Sequence, residues 1–116
     1  MSTNLAINKF FCYNQNNSGG SFVIDRRLAH YVIIEAQSGD EADRIAESIG
    51  IYFDGCESGD DCPCCGDRWD RAYGPGDDSP NIYGEDPAKY DDIFAQKGKP
   101  YCHIYYLDGL IKTYKK

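Results

Sequence analysis

Four of the six cysteines lie close together in the middle of the chain, at Cys56, Cys62, Cys64 and Cys65. The last three belong to the run Cys-Pro-Cys-Cys-Gly at 62–66, which matches the Cys-Pro-x-Cys-Gly turn of metal-binding knuckles. Two residues between thiolates allow a tight turn to direct both sulfurs at one ion, and the glycine adopts the positive φ that closes the turn. The spacing therefore predicts a metal site in this loop.

The individual ligands are predicted from their spacing. Cys62 and Cys65 form the knuckle pair, and Cys56 is expected to reach the same ion across a glycine-containing turn. Cys64 is the nearest candidate for the fourth ligand, although adjacent cysteines rarely bind one tetrahedral ion without strain. Two alternatives lie on a late predicted strand, Cys102 and His103. Because neighbouring residues of a strand face opposite sides of a sheet, only one of these two is usable.

Zinc is the expected metal, because a sulfur-rich shell of four ligands with no open position is typical of structural zinc sites. Iron in a rubredoxin-like site is the second possibility on ligand type. The region 56–84 has few aliphatic residues, so an ion there would replace a missing core. A catalytic zinc is disfavoured because thiolate ligands reduce Lewis acidity and leave no position for water. A cluster of free thiols is the remaining alternative.

Two segments are candidates for binding. Arg68, Trp69 and Arg71 follow the cysteines directly, and Arg and Trp are enriched in interaction hot spots. The structural alternative is that Trp69 covers the metal loop while Arg68 pairs with a carboxylate or stacks on an aromatic ring. The second segment is a possible anion-binding nest of backbone amides, formed by Asn17, Ser18, Gly19 and Gly20. It lacks the lysine and the following helix of a phosphate-binding loop, so a plain hairpin loop is the alternative.

No constellation of nucleophile and general base stands out, so an enzyme is not expected. His30 begins a strand without a suitable nucleophile near it in sequence. The acidic pairs Asp77-Asp78 and Asp91-Asp92 are predicted to face solvent.

The order of predicted elements gives an α+β fold. Strands are expected at 7–13, 21–24, 29–36 and 51–53, and a hairpin at 101–107 and 110–114 turns at Asp108-Gly109. A capping box beginning at Ser38 opens the main helix, and Gly50 ends it. A short helix is expected from Asp86 to Gly98. We therefore predict a mostly antiparallel sheet of five or six strands with one main helix, one short helix and a Cys-rich metal loop. The whole chain, 1–116, is expected to form a single domain, with the metal loop at 54–69 and an irregular excursion at 70–85.

Composition limits the partners. The chain of 116 residues carries a net charge of −7, which disfavours a general nucleic-acid binder because phosphates require clustered Lys and Arg. No run approaches the roughly 18 apolar residues of a membrane helix, and the first nine residues lack a signal-peptide pattern. A cytoplasmic protein is therefore expected, and in a reducing compartment its cysteines favour metal binding over disulfides.

Several strings resemble a group of small, uncharacterised bacteriophage proteins. They are N-N-S-G-G-S-F at 16–22, H-Y-V-I-I-E-A at 30–36, Y-F-D-G-C…D-C-P-C-C-G-D-R-W at 52–69 and Y-Y-L-D-G at 105–109. The resemblance implies a phage origin, expression in a bacterial cytoplasm and a zinc loop. It implies no activity.

Three functions are compatible with these patterns. The leading hypothesis is a non-enzymatic, zinc-stabilised binding module that engages a host protein, in host takeover or in blocking an antiviral system. The second is a small-molecule binder, such as a sponge for a nucleotide signal, which would use the 16–21 amides, Arg68 or Arg71 and stacking tyrosines. The third is a metal-dependent hydrolase, which requires an open metal position beside His103 or a carboxylate. Homo-oligomerisation stays open.

Overall fold

The computed structural model describes residues 8–16 and 22–116. Within these ranges the chain forms four strands and two helices. They are β1 (Lys9–Asn14), β2 (Tyr31–Ala36), α1 (Gly39–Ser48), α2 (Gly55–Ser58), β3 (Pro100–Tyr105) and β4 (Ile111–Lys115). No helix in the described part of the chain is long and apolar enough to cross a membrane.

The strands form one sheet in the order β1-β2-β3-β4. β1 pairs with β2 and β3 pairs with β4 in antiparallel fashion, whereas β2 and β3 run parallel. The parallel step requires a long crossover, and residues 37–99 supply it, with α1 near its start. The prediction of an α+β fold with a mostly antiparallel sheet is therefore confirmed, but the sheet has four strands rather than five or six.

Helix α1 forms as its sequence predicts. The Ser38 hydroxyl accepts a hydrogen bond from the Glu41 amide at 3.1 Å, and the Glu41 carboxylate accepts one from the Gln37 amide at 2.7 Å. At the other end Gly50 adopts a φ of +110°, and its amide donates to the carbonyl of Glu47. The Ile51 amide donates to the carbonyl of Ala46, so both ends of the helix are capped by local bonds.

Two predicted strands do not form. Residue 21 lies outside the described residues, and 22–24 contain no strand because the Gln15 side chain bonds both the amide and the carbonyl of Val23. At 51–53 the chain continues from the helix cap through a bend. At Val23 the Gln15 side chain satisfies the backbone groups that a neighbouring strand would otherwise pair. At Ile51 the carbonyl of Ala46, in the preceding helix, accepts the amide hydrogen.

The predicted helix at 86–98 is also wrong, since this segment is a series of turns. Ile93 and Phe94, which a helical stripe would bury, are 76% and 58% exposed. Asp92 is buried instead, and its carboxylate lies 2.8 Å from Nδ1 of the buried His30 and accepts a bond from the Phe94 amide. The prediction that Asp92 faces solvent is therefore wrong as well, because its buried carboxylate is satisfied by hydrogen bonds with the His30 ring and the Phe94 amide.

Each face of the sheet carries a hydrophobic cluster. The first lies between the sheet and α1 and includes Phe11, Tyr13, Val32, Ile34, Ala42, Ala46 and Trp69. The second lies on the opposite face and consists of Tyr31, Ile33, Ile82, Tyr101, Cys102 and Ile104. Ile82 belongs to the excursion 70–85, so this irregular segment covers part of the second face. The cysteine loop contributes only Trp69, at its end, to either cluster.

Candidate metal centre

Three thiols converge in the cysteine loop. The sulfurs of Cys62, Cys64 and Cys65 all lie within 4.8 Å of one another. The Cys62 and Cys64 sulfurs are 2.8 Å apart, and those of Cys64 and Cys65 are 3.8 Å apart. This group could hold a metal ion, and three soft sulfur donors fit zinc or iron better than magnesium or calcium. The sulfur of Cys64 therefore lies close to those of the predicted knuckle pair, Cys62 and Cys65.

A tight turn places these sulfurs. The carbonyl of Cys62 accepts hydrogen bonds from the amides of Cys65 and Gly66, at 3.0 and 3.1 Å. Gly66 has a φ of +88°, a conformation that a residue with a Cβ rarely adopts. The Cys-Pro-Cys-Cys-Gly run therefore folds into the closed turn that its spacing predicts.

Cys56 lies beside this group on α2. Its thiol donates a hydrogen bond to the Cys62 carbonyl at 3.5 Å, and its amide donates to the Asp67 carboxylate at 2.9 Å. Partial burial and then the neighbouring Asp67 carboxylate raise the pKa of the Cys56 thiol to about 11. Cys56 is thus the remaining cysteine of the loop, and its thiol contacts the backbone of Cys62, one of the three residues whose sulfurs converge.

The neighbouring thiols also shift one another's protonation. Hydrogen bonds from Cys64, and then from Cys65, lower the pKa of Cys62, because they stabilise its thiolate. Hydrogen bonds to Cys62, and then to Cys64, raise the pKa of Cys65 to about 11. The Cys62 thiol is therefore more acidic than the Cys65 thiol. A bound cation would favour the thiolate form of all of them.

The two alternative ligands lie elsewhere in the structure. Cys102 is fully buried in the second hydrophobic cluster, where burial raises its pKa. The two ring nitrogens of His103 lie 2.8 Å from the Thr113 hydroxyl and 2.8 Å from the Asp25 carbonyl. Within 8–16 and 22–116, neither residue joins the three converging thiols. The identity of the fourth ligand stays a prediction.

Asp61 holds the loop in shape from inside. Its carboxylate accepts bonds from the Tyr52 hydroxyl at 2.8 Å and from the Arg68 amide at 2.9 Å. Its own amide donates to the Gly55 carbonyl at 2.9 Å. A Cβ on Gly55 would lie 1.8 Å from an Asp61 carboxylate oxygen, so this close approach requires glycine.

The end of β1 attaches the loop to the sheet. The Asn16 side-chain amide donates to the carbonyls of Cys65 and Asp67 at 3.0 and 3.2 Å, and its backbone amide donates to the Arg68 carbonyl at 2.9 Å. These bonds satisfy carbonyls of the turn that carries the thiols. The orientation of the cysteines therefore depends on a residue just after β1, 49 positions before Cys65 in sequence, a dependence that the cysteine spacing does not reveal.

Gln15 is a second residue that the sequence analysis missed. It is 2% exposed, and its amide nitrogen donates to the carbonyls of Val23 and Ala29. Its amide oxygen accepts from the Val23 amide at 2.6 Å and from the Arg68 guanidinium at 2.9 Å. One buried side chain thus joins β1, the segment after the undescribed residues, and the cysteine loop. The signal was the inward alternation of Phe11 and Tyr13, which continues to position 15.

The predicted recognition residues divide into three groups. Trp69 is 1% exposed within the first hydrophobic cluster, and Arg68 is half-buried against Gln15 and Tyr52. Arg71 is exposed, lies 5.0 Å above the Phe53 ring and forms an ion pair with Asp54 at 2.6 Å. The four remaining residues lie outside the described residues: Asn17, Ser18, Gly19 and Gly20.

Comparison with known proteins adds a family and no activity. No curated protein and no solved structure matches the chain. A family model described as a domain of unknown function, DUF7296, matches residues 8–116. This match includes all four strands, both helices and the whole cysteine loop. The chain therefore belongs to the DUF7296 family.

Proposed function

We propose that the chain is a non-enzymatic binding module whose cysteine loop is held by one structural zinc ion. The observation that carries this proposal is the convergence of three thiols in a segment without a core. Across 54–68 the only buried residue is Gly55, so apolar packing contributes little to the order of this segment. A metal ion bound by several thiolates supplies the missing constraint.

The proposed ligands are Cys62, Cys64 and Cys65, with Cys56 as the fourth. The three sulfurs within 4.8 Å of one another support the first part, and the Cys56 thiol against the Cys62 carbonyl supports the second. Such a shell is typical of structural zinc, which cross-links the loop, and iron is second on ligand type. The hydrolase hypothesis ranks last, because His103 engages both ring nitrogens away from the cysteines.

The proposed partner is a protein of the bacterial host cytoplasm, on the hypothesis of a phage origin. Two exposed tyrosines support a protein-binding surface, since Tyr73 and Tyr83 are 92% and 73% exposed. Both lie around one cleft with the exposed Arg71, and Tyr and Arg are residue types enriched in hot spots. The net charge of −7 would steer the module toward a partner with a basic surface, such as one whose own ligand is nucleic acid.

An affinity capture experiment tests this function. The zinc-loaded protein is immobilised and exposed to bacterial lysate, beside a Tyr73→Ala/Tyr83→Ala variant and an Ile93→Ala/Phe94→Ala variant. We expect one host protein to be retained in a near-stoichiometric amount by the natural chain and by the 93/94 control, and reduced about tenfold or more by the tyrosine variant. The captured protein, purified separately, must then bind in solution with the same ranking. Equal capture by all three, or no stoichiometric partner, contradicts the proposed surface.

A further inference from the structure

β1 is an edge strand whose hydrogen bonds alternate between the sheet and the outside. The Gln15 amide donates to the His30 carbonyl, and the antiparallel register then directs the backbone groups of positions 9, 11 and 13 toward β2. The backbone groups of positions 10, 12, 14 and 16 point the other way. Phe10 uses its outward amide and carbonyl to bond Asp77 at 2.8 and 2.9 Å, and Asn16 donates to the Arg68 carbonyl.

Between these two attachments the described residues leave the edge of β1 unpaired. No described residue bonds the outward amide and carbonyl of Cys12 or of Asn14. Two donors and two acceptors therefore stand in a row along a strand, alternating in type. An unpaired edge of this kind is a template for another extended chain.

A cleft lies along this open edge. Arg68 and Asp77 are nine residues apart in sequence, whereas the residues that they bond along the edge, at positions 16 and 10, are only six apart. The segment 69–76 is therefore longer than the edge that it spans and bows away from it. The Asp43 carboxylate accepts a bond from the Ala72 amide at 2.9 Å and holds the bow toward α1. The space left is about 510 Å³, within the range of ligand-binding clefts.

The lining of the cleft is aromatic and acidic. Tyr31, Ile82 and Tyr83 form an apolar wall. The Tyr31 and Tyr83 rings meet edge to face at 6.1 Å. The charged residues of the lining are Asp70, Asp77 and Arg71, and Arg71 is already paired with Asp54. The uncompensated charge is therefore negative, and it favours an occupant with a Lys or Arg side chain.

We propose that this edge cleft binds an extended, basic segment of about three residues from a partner protein, by strand addition to β1. The first and third residues of the segment pair with Cys12 and Asn14, which satisfies all four outward groups. Apolar side chains of the segment contact Tyr31 and Tyr83, and a cationic one faces Asp70 and Asp77. This inference rests on the proposed role as a protein-binding module and specifies its surface.

The closed ends of the cleft define the form of the segment. Asp77 and Arg68 already occupy the positions beside Phe10 and Asn16 that a longer added strand would need. A loop tip or a chain terminus therefore fits, and a strand that runs past both ends does not. A planar small molecule would satisfy only one donor-acceptor pair along the edge, which makes a peptide the better match.

A displayed library of random linear nonapeptides, selected against the full zinc-loaded chain, tests this proposal. We expect enriched peptides to share a short segment with Lys or Arg beside an apolar residue. The deciding variant is Cys12→Pro, which removes one outward amide hydrogen while the bonds of β1 to β2 stay, as edge strands tolerate. Its matched control is Cys12→Ala. Peptide affinity is expected to fall about tenfold or more with proline and to change less than about twofold with alanine.

Hydrogen exchange provides a second measurement in case the proline variant does not fold. In the natural chain the Cys12 and Asn14 amides are expected to exchange rapidly, and an enriched peptide should slow both while it leaves the Phe10 amide unchanged. Equal peptide affinity for the proline and alanine variants, unchanged exchange at Cys12 and Asn14, or no enriched peptide would overturn the proposal. Peptides that bind at another surface would contradict this binding site, but they would not contradict the proposed function as a protein-binding module.

Discussion

Removal of the proposed zinc ion with a chelator is expected to disorder residues 54–68 and to leave both hydrophobic clusters folded. Within 54–68 only Gly55 is buried, so the loop without an ion depends on exposed or half-buried hydrogen bonds. Those bonds run mainly through Asp61, Asp67 and Asn16. The two clusters lie on the faces of the sheet and contain none of the four cysteines of the loop.

Amide hydrogen exchange measures this effect residue by residue. Because a structural zinc contributes on the order of 10 kcal/mol in small zinc domains, we expect protection of the loop amides to fall about a hundredfold or more after chelation. Amides of β2 should change little, and added zinc should restore the loop. Unfolding of the whole chain would contradict the local role of the metal. Unchanged protection of the loop would contradict any structural role for it.

Substitution of the buried Gln15 is expected to destabilise the folded chain strongly. Gln15→Leu keeps a similar volume but removes four hydrogen bonds in a buried position. The partners that lose a bond are the buried carbonyl of Ala29, the amide and carbonyl of the more exposed Val23, and the half-buried guanidinium of Arg68. Because a hydrogen bond contributes about 0.5–1.5 kcal/mol net and an unsatisfied buried group costs about 1–3 kcal/mol, we expect the free energy of unfolding to fall by roughly 3 kcal/mol.

Urea unfolding of the metal-loaded protein measures this change, with Asn14→Ala as the matched control. Asn14 is the preceding residue, the last of β1, but its side chain is exposed and bonds the exposed Tyr83. The control should lose less than about 1 kcal/mol. Since Gln15 also accepts from Arg68, Gln15→Leu should weaken metal binding as well. A loss below about 1 kcal/mol for Gln15→Leu would contradict the role of this buried amide.

Local signals in the sequence predicted the elements that depend on local bonds. The capping box at Ser38 and the glycine at position 50 mark the ends of α1, and the turn at Asp108-Gly109 separates β3 from β4. The knuckle turn at 62–66 formed for the same reason, since the two backbone hydrogen bonds that close it join residues three and four apart. In each case the residues that form the feature are adjacent in the sequence.

Long-range bonds account for the features that the sequence did not predict. Asp92 and His30 are 62 residues apart, and their contact replaces the predicted helix at 86–98. The parallel pairing of β2 with β3 depends on a crossover of more than 60 residues. At the candidate site, Asn16 and Gln15 contact the cysteine loop from about 50 residues away. Spacing alone predicted that the cysteines of the loop converge, but not which residues hold them in place.

Elemental analysis of the purified protein tests the central claim most directly. We predict one zinc ion per chain, which is lost in Cys62→Ser and Cys64→Ser and retained in Cys12→Ser, the matched exposed cysteine on β1. Iron in place of zinc would support the metal site but would show that the predicted identity of the metal is wrong. A folded natural chain without any metal, or zinc that survives Cys62→Ser, would contradict a zinc-held cysteine loop.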